Sequence, residues 1–503
     1  MSAACGRGFT LLVTEAGRMV SFGVNSNAQL GCGSLDSQML PNFTCDKARF
    51  GGQELVIVAA GEENSAAVTR TGDLWTWGNA KYGRLGIDFS TESPDETREM
   101  ATERRRKLDV LMISYPITPI QVHWPERIPS SVFQFSPVIM VTCGHYFTLS
   151  LTQAGHVWQC GSSDANGHVR TSALIHRVQA SAVFQQVDFP ALFDAGTKRS
   201  TKIVMIASGY RHMMALDETG LLWMWGKNMH GELGLGYTAS NEVSKPTAIS
   251  PSVFQGLGVK SMDGGLYYSM IITTDDNLWA CGLGGYGALG IGPTRDVLVP
   301  RWVGGADEFG GEGVRMVACG GMHTLIVTHE NKVWSCGSRD SMALGLPLLD
   351  VDYNRPTLIP HHDDFQNENI VMAAAGLRHS LVVTESGAVY TWGRSTKIGG
   401  GRSTSMVSPL GHYVANHNNA NIVRFPRLLV FSFTTCTGHI KTVPTPVRCG
   451  LWHRRCWLDT NEEAALAFAM ATHMHLCSHG GNRDLSKELV QSILVDAMQF
   501  QPK

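Results

Sequence analysis

Eight times along this chain a glycine is followed three residues later by a His, an aromatic or an Asn, and then by a short apolar run. The glycines are Gly6, Gly61, Gly144, Gly209, Gly265, Gly320, Gly376 and Gly450. Successive spacings are 55, 83, 65, 56, 55, 56 and 74 residues, so one unit recurs with insertions in three copies. A period of this size marks a stacked or radial repeat, in which each unit buries its apolar surface only against its neighbours. Two more offsets are fixed inside the unit. In the first seven copies a second glycine stands seventeen residues after the first, at Gly23, Gly78, Gly161, Gly226, Gly282, Gly337 and Gly393. It is preceded by Phe22, Trp77, Cys160, Trp225, Cys281, Cys336 or Trp392. Five copies add a Leu-Gly pair whose glycine lies 25 residues from the first: Gly31, Gly86, Gly234, Gly290 and Gly345.

Each unit reads as strands joined by tight turns. The run Ile370 to Gly376 leads to His379-Ser-Leu-Val-Val-Thr384, and after Glu385-Ser-Gly387 to Ala-Val-Tyr-Thr-Trp392-Gly393. Such β-branched and aromatic runs, bounded by Gly, Asp, Asn or Ser, are strand and hairpin signals. Short sheets repeated about seven times call for radial closure, because an open stack leaves exposed edges that a propeller reduces to short, protected ones.

The pattern Ala-Ala-Gly376-x-x-His379-Ser-Leu-Val-Val, then Tyr-Thr-Trp392-Gly393, resembles the regulator of chromosome condensation repeat family over roughly residues 1–460. The resemblance implies an all-β fold, a seven-bladed β-propeller of four-stranded blades. On this reading residues 1–460 are the propeller, with insertions at about 88–137, 162–201 and 400–440, and residues 461–503 form a C-terminal helical hairpin. Only five residues precede Gly6, so the strand before it is expected to be missing; the copy around Gly450 stops before its Trp-Gly hairpin. The two ends are expected to be complementary, with the C-terminal segment helping to close the blade that holds the N-terminus. An incomplete eighth blade is the alternative.

Founding members of that family are nucleotide exchange factors for the small GTPase Ran, bound on one propeller face with a wedge from the third repeat. Here Gly161-Ser162-Ser163-Asp164-Ala-Asn166-Gly167 is similar to that wedge, which makes Ser162, Ser163, Asp164 and Asn166 candidate partner contacts. Between the glycine and the ring residue of the third and fourth repeats, where the exchange factors are acidic, stand His145-Tyr146 and Tyr210-Arg211. An Arg in place of a catalytic Asp reverses the charge offered to a GTPase. A second candidate contact is the basic cluster Arg104-Arg105-Arg106-Lys107, read as a solvated loop helix or as a docking element for an acidic protein surface.

A net charge of −2 speaks against a general grip on nucleic acid, which relies on a basic patch or stripe. No apolar run reaches the roughly 18 residues of a membrane span, and the first twenty residues show no basic segment followed by an apolar core. An intracellular setting, cytoplasmic or nuclear, is expected. Of the twelve cysteines, most occupy equivalent repeat positions in different units and are read as buried hydrophobes. Gly282-Leu-Gly-Gly-Tyr-Gly287 lacks the strand–turn–helix context of a dinucleotide loop, and His473-Met-His475-Leu-Cys477-Ser-His479 matches no zinc spacing. No cofactor and no metal are expected. The repeat positions Gly61, Gly78, Gly209, His212, Gly226, Gly320, His323, Gly337, Gly376, His379 and Gly393 are read as structural, since no nucleophile–base or carboxylate pair accompanies them. The leading function is a non-enzymatic protein–protein interaction scaffold with no small-molecule substrate. The alternative is an exchange factor for a small GTPase of the Ran type.

Overall fold

The computed structural model describes residues 2–87, 121–161 and 183–394 apart from short gaps, and beyond them strands between Thr396 and Pro444. Seven four-stranded antiparallel sheets follow one another along the described residues, spanning 2–45, 55–127, 138–186, 203–248, 259–304, 314–358 and 370–428. They are the blades of a β-propeller, numbered here 1 to 7. Blade 5 shows the plan: Val259–Gly264, Tyr268–Thr273, Leu278–Gly282 and Val297–Gly304 pair in sequence order. First strands of neighbouring blades face each other around the axis, and fourth strands lie outermost.

The expectation of a missing first strand is corrected. Ser2–Cys5 is itself the inner strand of blade 1, pairing Ser2 with Val13 and Cys5 with Thr10. Inner strands converge on the axis and favour small residues, as at Ala59-Ala60 and Ala373 to Ala375, so Ser-Ala-Ala-Cys suits the place. Blade 1 therefore owns all four of its strands. The hairpin Val430–Thr434 and Ile440–Pro444 lies beside its outer strand Gln38–Cys45 as a separate two-stranded sheet. The copy around Gly450 and the segment 461–503 lie outside the described residues.

Long connections join the third and fourth strands of blades 2, 3 and 7, and after the fourth strand of blade 3 comes a separate hairpin of Leu192–Asp194 and Thr197–Arg199. Outer strands Gln121–Arg127, Gln185–Gln186 and Ile422–Leu428 fall inside the stretches expected as insertion.

One junction, repeated around the ring, joins the blades. Ser269, at the start of the second strand of blade 5, donates to the Glu232 carbonyl of blade 4 (2.7 Å), and His212 of blade 4 bonds the same hydroxyl (2.9 Å). Ser380 does the same with the Ala343 carbonyl (2.7 Å) and His323 (2.9 Å). Since each serine's single hydrogen is committed to a carbonyl, the imidazole Nε2 is the donor; Nδ1 of both rings has no partner among the described residues. Thr324 uses the Ala288 carbonyl and Tyr268 OH, and Thr148 uses the Arg84 carbonyl and the Asn64 amide. Where the ring is Phe147, the next blade supplies Met213 and the junction is apolar. The carbonyl in each case belongs to the Leu-Gly turn. The residue before the second glycine donates to it as well: Trp77 to Gln29, Trp392 to Ala343, and the thiols of Cys160, Cys281 and Cys336 to Arg84, Glu232 and Ala288. All three sequence offsets thus meet at one point.

The glycines are dictated by the same packing. A Cβ on Gly209 would stand 2.1 Å from His212 Cε1, so the ring lies directly on the glycine. Gly226, at φ +105°, lets the third strand turn beneath the Arg211 carbonyl, which a Cβ would meet at 2.7 Å. The ring closes between blades 7 and 1 through His379 and Thr10 (3.1 Å), Leu377 N to the Gly6 carbonyl (3.4 Å), and an apolar cluster of Leu12, Val20, Phe22, Leu381, Val383 and Val389.

Gly320→Ala would put a methyl 2.2 Å from His323 Cε1 and 2.7 Å from the Gly376 carbonyl. It should cost about 1–3 kcal/mol. Gly285→Ala meets nothing within 4 Å and should stay within about 0.5 kcal/mol of the parent; equal denaturant midpoints for the two variants would overturn the steric argument. Burial holds His212 and His379 at about 3 and His323 at about 4. The unfolded chain takes up these protons near pH 6.5, so stability should fall as pH drops below that value by about 1.4 kcal/mol per unit per histidine, levelling off near pH 3–4. Stability measured against pH should show His323→Gln with a slope smaller by one proton.

Candidate functional site

At the end of each blade where the repeat glycine turns, two residues stand between the glycine and the ring. Their side chains take no part in the hydroxyl–carbonyl junction, so they are where the ring departs from its sevenfold repetition. In order around the axis these pairs are Arg7-Gly8, Glu62-Glu63, His145-Tyr146, Tyr210-Arg211, Leu266-Tyr267, Gly321-Met322 and Leu377-Arg378. Charge and aromatic character gather at blades 2 to 4. The third-to-fourth-strand loops emerge at the same end, and blade 2 contributes Tyr82 and Arg84 from one of them.

Glu62 is the centre of this sector, 7% exposed. It pairs with Arg7 and His145 Nε2 and accepts from Tyr210 OH (2.8 Å). Burial alone would raise its pKa, but the bonds from His145 and Tyr210 and the Arg7 charge hold it at about 2. Burial lowers His145 against the pull of Glu62, and raises Tyr210, with the Glu62 charge adding to that rise. At neutral pH the group is therefore a carboxylate held by two neutral rings and one guanidinium.

Rings extend outward from it. His145 stacks on Tyr146 (centroids 3.5 Å) and tilts against Tyr210 (4.1 Å); Tyr82 meets Tyr146 edge-on (4.7 Å). Arg84 and Arg211 both lie 5.3 Å from the Tyr146 centroid, and Arg211 also lies 5.5 Å from that of Tyr210, within cation–π range. Arg84 is 1% exposed and paired with Glu63 at 3.6 Å. Burial lowers its pKa while Glu63 and Glu62 oppose the shift. Arg211 Nε is buried with no acceptor among the described residues. The arrangement holds rings and charges rigidly for contact; it aligns no nucleophile with a base.

Of the residues singled out from sequence, Gly161 ends the third strand of blade 3, while Ser162, Ser163, Asp164 and Asn166 lie outside the described residues, as do Arg104, Arg105, Arg106 and Lys107. The repeat glycines and histidines lie at the blade junctions described above. Glu62 and Arg84 were not singled out, although Glu62 occupies the position directly after its repeat glycine and was within reach of that comparison. Arg84 was not, because its carbonyl serves the junction while its side chain reaches a neighbouring blade. Among the described residues no cluster of His, Cys, Asp and Glu is arranged to hold a metal, and no helix is long and apolar enough to cross a membrane.

A closed ring of seven repeated blades with an asymmetric loop face defines a repeat propeller. The chain belongs to the RCC1-like domain family, whose family model matches residues 1–303 and 117–453. It is 28% identical over 302 residues to the ultraviolet-B receptor UVR8 of Arabidopsis thaliana, covering 59% of this chain and 56% of the receptor. It is 35% identical over 188 residues to the secretion-regulating guanine nucleotide exchange factor of Bos taurus, 37% of this chain and 38% of that protein. The chain thus spans about half of the receptor's length and under two-fifths of the exchange factor's. The crystal structure of Prp20p from Saccharomyces cerevisiae shares the fold, with a TM-score of 0.61 at 19% identity, covering 84% of this chain and 86% of that one.

Glu62→Gln keeps the shape but removes the charge that Arg7, His145 and Tyr210 converge on. It should lower stability by about 1–3 kcal/mol at pH 7. The folded-state pKa of Glu62 lies below its unfolded value, so its contribution is full at neutral pH and fades as pH falls from about 4.5 towards 2; parent and variant should converge at the acid end of a stability–pH series.

Proposed function

We propose that this chain is a non-enzymatic protein-interaction scaffold whose partner docks on the sector of blades 2 to 4. The carrying observation is Arg211, spread over Tyr146 and Tyr210 with its Nε buried and lacking an acceptor among the described residues. A buried donor left unpaired costs about 1–3 kcal/mol, and an acceptor brought by a partner recovers it. Tyr and Arg are also the residue types that concentrate binding energy at interfaces. The partner's chemistry is therefore a carboxylate or carbonyl flanked by apolar surface. The third strands of blades 2 and 3, which precede Arg104 to Lys107 and Ser162 to Asn166 in the chain, end at this same end of the propeller. The setting is intracellular, in keeping with seven described cysteines that are all unpaired.

A second reading is favoured by one observation, the similarity to the bovine exchange factor. In it Asp164 and Asn166 act as a wedge on a small GTPase of the Ran type. The positive Arg211 in the neighbouring turn gives a GTPase the opposite charge to that expected of an exchange face.

The two readings separate in one experiment. Release of a fluorescent guanine nucleotide from Ran is followed with the full chain and with Asp164→Ala, while partners captured by the parent are re-tested against Arg211→Glu and Tyr146→Ala. The scaffold reading expects no acceleration of release and loss of partner capture in both face variants at unchanged fold. Acceleration abolished by Asp164→Ala would replace it with the exchange reading.

A further inference from the structure

At the opposite end of the propeller, on the outer side of blade 5, lies a surface pocket of about 370 Å³. Its walls include Asn277, Trp279, Trp302, Gly305, Asp307 and Glu308. Asn277 belongs to the turn between the second and third strands, and Gly305 to Glu308 to the connection into blade 6. The site therefore shares nothing with the Glu62 sector.

Its chemistry is one-sided. Trp302, on the outer strand, is 46% exposed, whereas its cross-strand partner Trp279 is 6% exposed. Trp279 directs its indole N–H to Thr273 (3.3 Å) and packs edge-on against Phe254 (5.6 Å), so it offers carbon to the pocket. The Asn277 amide donates to Asp275 (2.5 Å), which turns Oδ1 towards Gly305; a Cβ there would stand 2.0 Å from that oxygen, so glycine is needed to leave it room. Glu308 caps the Gly305 N–H with Oε2 (3.1 Å), leaving Oε1 uncommitted to that cap. Neither Asp307 nor Glu308 has a cationic partner among the described residues; nearby Lys260 is paired with Asp276, as is His329. Arg301, one position before Trp302 on the strand, points to the other side of the sheet. The pocket thus combines an open indole face with carboxylate and amide acceptors, and no cation lines it.

We propose that this pocket receives an arginine side chain from a partner polypeptide. Its guanidinium would lie flat on Trp302 and donate to Asp307, Glu308 and Asn277 Oδ1. A planar guanidinium both stacks on an indole and forks to carboxylates, which a compact, strongly hydrated ammonium does less well. Arginine is the occupant that matches the charge, the flat wall and the acceptors together.

The test uses the full chain labelled with 5-fluorotryptophan, in which the Trp302 fluorine signal is identified by its loss in Trp302→Phe. Acetyl-Gly-Arg-Gly-amide is titrated in, with the Lys and Glu tripeptides in parallel. Expected is a saturable shift of the Trp302 signal with the Arg peptide, a weaker one with Lys and none with Glu. Asp307→Asn combined with Glu308→Gln should weaken the Arg peptide about tenfold or more, while the other fluorotryptophan signals stay in place and report an intact fold. A Trp302 signal that fails to saturate, that responds equally to Lys, or that shifts as before in the double variant would overturn the proposal.

Discussion

The propeller depends on a hydroxyl that sits between two blades. Ser65, Thr148, Ser269, Thr324 and Ser380 each begin a second strand and each donate to the Leu-Gly carbonyl of the preceding blade. That carbonyl would otherwise rest on the indole or thiol donor alone, and the hydroxyl would be a buried donor without an acceptor; the two satisfy each other inside the blade junction. The ring residue beside the repeat glycine then donates to that hydroxyl from His212, His323 or Asn64, whereas Tyr268 gives its hydrogen to the His323 carbonyl and meets Thr324 as an acceptor. Because the donors come from two blades and the carbonyl from a turn, the junction forms only when neighbouring blades are in register. Apolar clusters spanning successive blades supply burial, and the junction supplies direction.

This division explains what varies. Blade 1 carries Phe9 at the ring position and lets Ser65 keep its carbonyl alone; the Phe147 and Met213 pair abandons hydrogen bonding altogether. Cysteine replaces tryptophan before the second glycine at blades 3, 5 and 6 because both present a hydrogen to the same carbonyl, the thiol being the weaker and smaller donor. Burial that pushes the thiols of Cys281 and Cys336 upward keeps them protonated, as that donor role requires.

The features most legible in the chain are those where a single residue type is forced. No side chain fits beneath His212 or on the positive φ of Gly226, so the spacing of glycines exposed the repeat and, with it, the blades. The inner strand of blade 1 was hidden because crowding at the axis selects Ser2-Ala3-Ala4-Cys5, which carries neither β-branching nor alternation. Comparison with Ala59-Ala60 before Gly61, or Ala374-Ala375 before Gly376, holds the missing signal. The Glu62 sector was partly legible, since His145, Tyr146, Tyr210 and Arg211 occupy positions that the junction leaves free. Its assembly was not, because Glu62 and Tyr210 are 148 residues apart and no local pattern records which turns face each other across the axis.

A ring of seven near-equivalent turns has no preferred side, and a binding surface requires one. Here the symmetry is broken because both members of the pair are charged or aromatic in three consecutive turns, whereas each following turn has Leu266, Gly321 or Leu377 in first place and only Tyr267 and Arg378 add a ring or a charge. Within the charged sector, Arg7 and Arg84 find Glu62 and Glu63, and these pairs fix the rings in place without projecting net charge. Arg211 has no carboxylate of this kind beside it: it is half-buried, held against two tyrosines, and its buried Nε lacks an acceptor among the described residues. The unpaired nitrogen costs free energy, which the contacts of the guanidinium with Tyr146 and Tyr210 offset in part. A scaffold rigid enough to hold such a group in readiness surrenders little further entropy when an acceptor arrives, and that preorganisation is what a propeller face contributes to recognition.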